Sequence, residues 1–309
     1  MNNLKDKEKV LQKKKIIHVL NNVVDFIVIT VLVFLLIFSL YGVWNSAQLY
    51  EEADPKNYET YKPLVEDTYS FNKLRRMNPD VFGWITIYGT NIDYPLIKPK
   101  KDNVEYLNRN ALGKFSAPGS IYLDYRNSKD FTDFNTIIYG HHMARHLMFG
   151  DLDKFKNKDF FRSHKYGNIF FEGKNHGLEF FAFLKVNSHD SYIYSPAIND
   201  EGSKIEYLDH LKDCAMYKRS SDVTTNDNIV LLSTCTENVA NGRYILVGKL
   251  LPYEIPNPFP EEKNGTGVDL ETLGRKILNL PAWTWILILV GILIGLYLDI
   301  KRLSKRRRK

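Results

Sequence analysis

Three residues in this chain carry side chains that could act together on a carbonyl group. Cys235 ends the apolar run Leu231-Leu-Ser-Thr-Cys-Thr236, which reads as a strand presenting its last side chain at a strand end. Arg243 follows across a polar loop and opens the next apolar run, Tyr244–Leu251. If the two runs pair as a hairpin, thiol and guanidinium end on one rim of a sheet. His141 stands just past the strand-like run Thr136–Tyr139, in Tyr139-Gly-His-His-Met143, where Gly140 lets the backbone turn. A thiol is a strong nucleophile only as the thiolate, which a cationic neighbour favours. Imidazole moves protons near neutral pH, and a guanidinium stabilises charge developing on a carbonyl oxygen. The set suits nucleophilic acyl transfer.

Other candidates compete for these residues. Cys214 lies on the apolar face of an amphipathic stretch, where a small buried hydrophobe is the simpler role. A Cys214–Cys235 disulfide is the alternative for an extracellular pair, but a bridge tolerates only a narrow geometry and one partner sits mid-helix. His142 and His146 are spaced as two ligands on one helix face would be. Met143 stands where an HExxH zinc motif needs Glu, and no second compact His/Asp cluster follows. We therefore expect neither metal nor cofactor. Glu237, close after Cys235, reads as a solvated loop charge rather than a third catalytic partner.

The elements that must position these residues are mostly β. Phe82–Tyr88 alternates, Gly89-Thr-Asn91 reads as a turn, and Ile92–Ile97 continues extended, which together signal a hairpin. Further strand-like runs are Ser120–Tyr125, Thr136–Tyr139, Asn168–Phe171, Leu178–Val186, Asn228–Thr234 and Tyr244–Leu251. Helical spacing is expected around Asn57–Arg76, over Leu147–Phe161 through Met148, Leu152, Phe155 and Phe160, and over Glu201–Tyr217 with Ile205, Leu208, Leu211, Cys214 and Ala215 on one face. A barrel or sandwich with inserted helices fits this order.

Composition and charge narrow the class. The 309 residues are 44% hydrophobic and 25% charged, which excludes a disordered or collagen-like chain, and 2 cysteines cannot build a disulfide scaffold. The net charge of +6 suggests nucleic acid until it is located. Residues 1–22 carry +4 and residues 299–309 carry +6, which leaves −4 for the body. A mildly acidic body offers no basic face for phosphates, so no nucleic-acid partner is expected. Both basic tails abut apolar runs, 23–44 and 280–298, each close to the roughly 20 residues that span a bilayer. The flanking Lys/Arg clusters follow the positive-inside pattern. We expect two spans, both termini cytoplasmic and residues from about 45 to 280 outside. A cleaved signal peptide competes for the first run, but Asn45-Ser46-Ala47 is a poor cleavage site.

Three separated blocks then carry a resemblance. Tyr139-Gly-His-His-Met143, Leu231-Leu-Ser-Thr-Cys-Thr236, and Arg243 with Ile245-Leu-Val-Gly-Lys-Leu250 resemble the His, Cys and Arg blocks of the sortase family. Asp80-Val-Phe-Gly-Trp-Ile85, Gly119-Ser-Ile-Tyr-Leu-Asp-Tyr-Arg-Asn127, Met148-Phe-Gly-Asp-Leu152 and the helix before the Cys strand are similar to class B members in particular. The match covers about residues 70–251. It implies a membrane-anchored cysteine transpeptidase of a Gram-positive surface, mostly β, with an eight-stranded β-barrel, an N-terminal helix and an inserted helix, flanked here by two transmembrane helices. By the family pattern Cys235 is the nucleophile, His141 the acid/base and Arg243 the oxyanion or substrate-positioning group.

The implied organisation is a basic tail (1–22), an anchor (23–44), a helical lead-in (45–75), a catalytic barrel (76–251), a linker (252–279), a second span (280–298) and a basic tail (299–309). The implied partners are secreted proteins bearing a C-terminal sorting motif and an amine of a peptidoglycan precursor. The second apolar run is a layout closer to pilin-polymerising sortases, which offers a pilin lysine as the alternative acceptor. Leu280-Pro-Ala-Trp-Thr284 before an apolar run and a basic end mimics a sorting signal, although it lacks the Thr-Gly pair of LPXTG. A non-enzymatic surface protein that is itself anchored is therefore the competing class.

Overall fold

The computed structural model describes residues 2–64, 68–236, 241–259 and the single positions 284, 291 and 295. Residues 49–264 form one compact unit, and residues 1–48 belong to another.

The first helix, α1 (Asn2–Ala53), contains the first apolar run, whose large side chains are exposed. Among the described residues one helix, Lys9–Ala53, is long and apolar enough to cross a membrane. This corrects the expected layout of two flanking spans, and with it the topology that put both termini in the cytoplasm. An apolar run fixes only length and composition, and among the described residues only the first run supplies a continuous helix of spanning length. The expected span at 280–298 lies outside the described residues apart from positions 284, 291 and 295. Pro55 ends α1 by occupying the first turn of a short 3₁₀ segment, Pro55–Asn57, capped by the Asp54 carboxylate on Lys56 N–H. The helical reading of 57–76 shortens accordingly. A second 3₁₀ turn spans Glu59–Tyr61, and α2 is only Tyr69–Met77.

Among the described residues eleven strands follow: β1 (Val81–Ile87), β2 (Asp93–Ile97), β3 (Ile121–Leu123), β4 (Asn135–Tyr139), β5 (His142–Met143), β6 (Leu147–Met148), β7 (Tyr166–Phe171), β8 (Lys174–Asn187), β9 (Ala215–Lys218), β10 (Ile229–Cys235) and β11 (Gly242–Leu250). One sheet runs β11-β10-β4-β3-β2-β1-β7-β8, and β11 also pairs with β8, so these eight strands close into a barrel. Closure leaves no free edge among them. The ninth strand, β9, extends β8 on the outside, and β5–β6 form a separate small ribbon.

Two pairs are parallel, β2–β3 and β4–β10, and parallel neighbours need long connections. The loop over residues 98–120 joins the first pair. The second pair encloses a long excursion that includes α3 (Lys158–Ser163), α4 (Glu201–Asp213) and the loop before it. These connections build the walls of the cleft described below.

Period-2 alternation sorts the strands into two faces. Val230, Leu232, Tyr244 and Leu246 join Ile138, Ile85 and Phe183 in the barrel core. Ile229, Leu231, Ile245, Val247 and Ile137 face outward and pack with Tyr207, Leu208 and Leu211 of α4. That double burial leaves Ile229–Thr234 of β10 buried on both faces, with only its last residue, Cys235, exposed.

Two expected helices differ. The stretch 147–161 becomes β6, a 3₁₀ segment Gly150–Lys156 and the short α3, although Met148, Leu152 and Phe155 are buried as their spacing suggested; Phe160 is only half-buried, and its neighbour Phe161 is the buried one. The second helix starts as read, with Asp200 capping the Ser203 N–H at 2.8 Å, but stops at Asp213 because residues 215–218 pair with β8. Its buried face carries Tyr207, while Ile205 is exposed. Beyond β11, residues 252–259 are held against the barrel. Tyr253 accepts the Gly177 N–H at 2.7 Å, Ile255 accepts the Tyr88 hydroxyl at 2.8 Å, and Phe259 stacks on His164.

Candidate active site

The β10–β11 hairpin forms as expected. Its register places Cys235 directly opposite Arg243, and Ser233 opposite Ile245. Residues opposite each other on antiparallel strands have Cβ atoms roughly 4.5–5.5 Å apart. The parallel pairing of β4 sets Tyr139 beside Ser233, and Gly140 N–H donates to the Ser233 carbonyl at 3.2 Å. His141 is the next residue. The loop 237–240 between the two strands, including Glu237, lies outside the described residues.

His141, Cys235 and Arg243 line one cleft of about 390 Å³, together with Leu107, Tyr139 and Tyr194. It lies on the outer face of the barrel at the strand ends. The strand ends supply the chemistry because there the ladder stops and side chains leave the packed layer. Cys235 is exposed, Arg243 and His141 are half-buried, and both cysteines are free, so no disulfide competes. Burial and the nearby Asp190 and Asp213 carboxylates push the Cys214 thiol up, which keeps it protonated near neutral pH.

His141 is oriented by one bond. Its Nε2 stands 2.9 Å from the Leu107 carbonyl oxygen. A carbonyl only accepts, so Nε2 carries the hydrogen of this bond and Nδ1 is left for other partners. The Leu107 carbonyl is itself fixed by a close approach. Gly119 has φ +65°, and a Cβ there would strike the Leu107 oxygen and stand 2.7 Å from that of Tyr106. At Gly140 the reason for glycine is packing rather than the expected turn. A Cβ would meet Ile121 Cδ1 at 2.5 Å and the Phe149 ring at 2.7 Å, and its φ is not positive.

Beneath the cleft lies a polar network that the sequence reading did not single out. Asp124, fully buried, accepts two bonds from the Arg126 guanidinium at 2.9 Å each, one from Asn103 at 2.9 Å and one from the Tyr139 hydroxyl at 3.0 Å. Burial pushes the Asp124 carboxyl up, but the bonds from Arg126 and Asn103 outweigh it and hold it below the usual carboxylate range. Arg126 also donates to the Tyr194 carbonyl at 3.1 Å, and the Tyr194 hydroxyl bonds Ser233 Oγ at 2.8 Å. Tyr139 and Tyr194 stack with centroids 6.2 Å apart. Burial pushes the Tyr194 phenol up to about 12, against the pull of Ser233 and Arg243, so it stays neutral near pH 7. The network ties the loop before Asp124, the end of β4 and the loop after β8 to the Cys235 strand. The acid–x–base spacing Asp124–Arg126 at a strand end was its one visible signal.

His142 and His146 do not form a metal pair. The local chain is β5, a 3₁₀ turn and β6 rather than one helix, so their spacing does not place them on one face. His142 Nε2 faces Asp153 at 3.1 Å, and His146 Nδ1 faces Asp151 at 2.9 Å.

A closed eight-stranded barrel with an exposed cysteine and an arginine paired across its last two strands defines a class of surface transpeptidase. The family described as Sortase domain matches residues 85–251. A curated relative, Sortase B of Listeria monocytogenes, is 37% identical over 180 residues, covering 58% of this chain and 72% of that protein. Sortase B of Staphylococcus aureus is 32% identical over 185 residues, covering 59% and 74%. The crystal structure of sortase B from the type II pilus of Streptococcus pneumoniae is 49% identical with a TM-score of 0.52, covering 59% of this chain and 98% of that one. The chain belongs to the sortase family and is class B-like.

Proposed function

We propose that this membrane-anchored transpeptidase works through a thioacyl intermediate on Cys235, cutting a sorting motif in secreted proteins and joining them to an amine of a peptidoglycan precursor. The observation that carries the assignment is the direct register of Cys235 against Arg243 at the cleft that His141 also lines.

The Cys235 thiolate attacks a backbone carbonyl carbon of the motif. Arg243 faces the position where negative charge develops on the carbonyl oxygen and stabilises it. The C–N bond breaks as the imidazolium of His141 gives a proton to the leaving amine. A thioester remains. The acceptor amine then attacks it, His141 takes the amine proton, and Cys235 leaves as thiolate. Tyr139, Tyr194 and Leu107 give the cleft an aromatic and apolar lining against which an extended peptide can lie.

A second acceptor has one specific observation behind it, the 49% identity to the pilus-derived structure. In that reading a pilin lysine resolves the thioester. A peptide library offered to the full chain, with either a cross-bridge peptide amine or a lysine peptide as acceptor, tests both. Transpeptidation onto one amine selects that reading, and cleavage of no peptide in any pool refutes both.

A further inference from the structure

A second set of side chains converges outside the cleft. Asp190, on the loop after β8, meets His210 and Cys214, one turn apart at the end of α4. A carboxylate oxygen, a ring nitrogen and a sulfur lie within 4.8 Å of one another. His210 Nε2 stands 3.4 Å from Asp190 Oδ2 and 3.6 Å from Cys214 Sγ.

Hydrogen bonding accounts poorly for this arrangement. The 3.4 Å contact is long for N–H···O, whose common length is about 2.9–3.0 Å. Both contacts fall on the same ring nitrogen, so as hydrogen bonds they would have to share one Nε2–H between a distant carboxylate oxygen and a weakly accepting sulfur. Metal coordination accounts for it well. Nitrogen and oxygen ligands about 2.0–2.1 Å, and sulfur about 2.3 Å, from a tetrahedral zinc ion stand about 3.3–3.6 Å apart.

We propose that Asp190, His210 and Cys214 form a binding site for a zinc-class divalent ion, with the fourth coordination position open to water. The donor set suits a borderline-soft ion rather than calcium or magnesium, which take oxygen ligands. The carboxylate is already oriented. Asp190 Oδ1 accepts the N–H groups of Tyr192 at 3.2 Å and Ile193 at 3.1 Å, which leaves Oδ2 for the ion. The Tyr192 ring packs edge-on against His210, with centroids 5.1 Å apart. On binding, Cys214 gives its thiol proton to solvent. The Asp190 loop continues to Tyr194, whose hydroxyl bonds Ser233 in the cleft, so the ion fastens that wall to α4.

Cobalt(II) is the probe, titrated into the metal-stripped full chain in detergent, in a Cys235→Ala background so that the exposed thiol cannot contribute. The expected result is saturation at one equivalent, a sulfur-to-cobalt charge-transfer band, and displacement by zinc. Cys214→Ser should abolish the band, while Asp190→Asn and His210→Gln should weaken binding roughly tenfold or more. Zinc should also raise the thermal midpoint of the Cys235→Ala parent, a readout that does not depend on the Cys214 variant folding. A band that survives Cys214→Ser overturns the proposal. So does a parent chain that takes up no stoichiometric metal and shows no zinc-dependent midpoint shift.

Discussion

Cys235 and Arg243 are direct cross-strand partners at the end of the β10–β11 ladder. Their separation is set by backbone register, not by the reach of two flexible side chains. Sliding β11 by one residue would turn Arg243 to the opposite face. The apolar residues Ile245 and Val247, packed under α4, pin that register from the same strand.

Arg243→Ala should lower the rate of thioacyl formation by roughly 10²–10³-fold, as loss of an oxyanion donor does. Arg243→Lys keeps the charge and loses the planar fork, so it should fall between the two. Single-turnover kinetics separate acylation from binding. An Ala variant that acylates at the parent rate removes Arg243 from the chemistry.

The two thiols should differ sharply. Cys235 is exposed beside a guanidinium, whereas burial and two carboxylates hold Cys214 in its protonated form. An alkylating reagent at neutral pH should label Cys235 faster than Cys214 by roughly tenfold or more. Peptide mapping of the labelled sites checks this, and equal slow labelling of both would favour a plain binding domain.

Gly119 lies far from the cysteine in sequence but supports the carbonyl that orients His141. Gly119→Ala adds a Cβ at positive φ against the Leu107 and Tyr106 oxygens. It should cost about 1–2 kcal/mol from backbone strain alone. Activity should fall by more than the unfolded fraction explains, because the imidazole loses its anchor. Chemical denaturation alongside kcat and KM separates the two effects.

Asp124 should give the cleft a pH limit. Its carboxyl titrates below the usual value when folded, so the stability it contributes is full above about pH 4 and is lost as pH falls through the folded value. Asp124→Asn should cost about 1–3 kcal/mol at neutral pH and flatten the acid limb of the unfolding curve. An unchanged acid limb would show that other carboxylates set it.

Much of this was legible in the chain. The apolar run ending at Cys235 and the run opening at Arg243 read as strands because both their faces are buried, whereas the alternation from Phe82 reflects a face on which Phe82 and Thr86 are only half-buried. The three candidate residues fall at one cleft because each sits at a strand end, and the strand ends lie together. The network around Asp124 was not legible, since its members are brought together by the parallel pairings and not by spacing. The helical reading of 147–161 failed for a related reason. Burial of Met148, Leu152 and Phe155 is encoded in their spacing, but the two-residue ribbon and 3₁₀ turn that deliver it leave no periodic trace. The stretch 215–217 reads as helix from its local spacing but folds as strand, because pairing with β8 overrides local propensity there.

The central claim is that Cys235 carries the acyl group. Intact-mass and peptide-mapping spectrometry of the full chain, quenched during turnover of a peptide pool, tests it directly. The expected result is an acyl adduct on the peptide containing Cys235 that an added amine discharges and that Cys235→Ala abolishes. An adduct that survives Cys235→Ala, or that maps to Cys214, contradicts it.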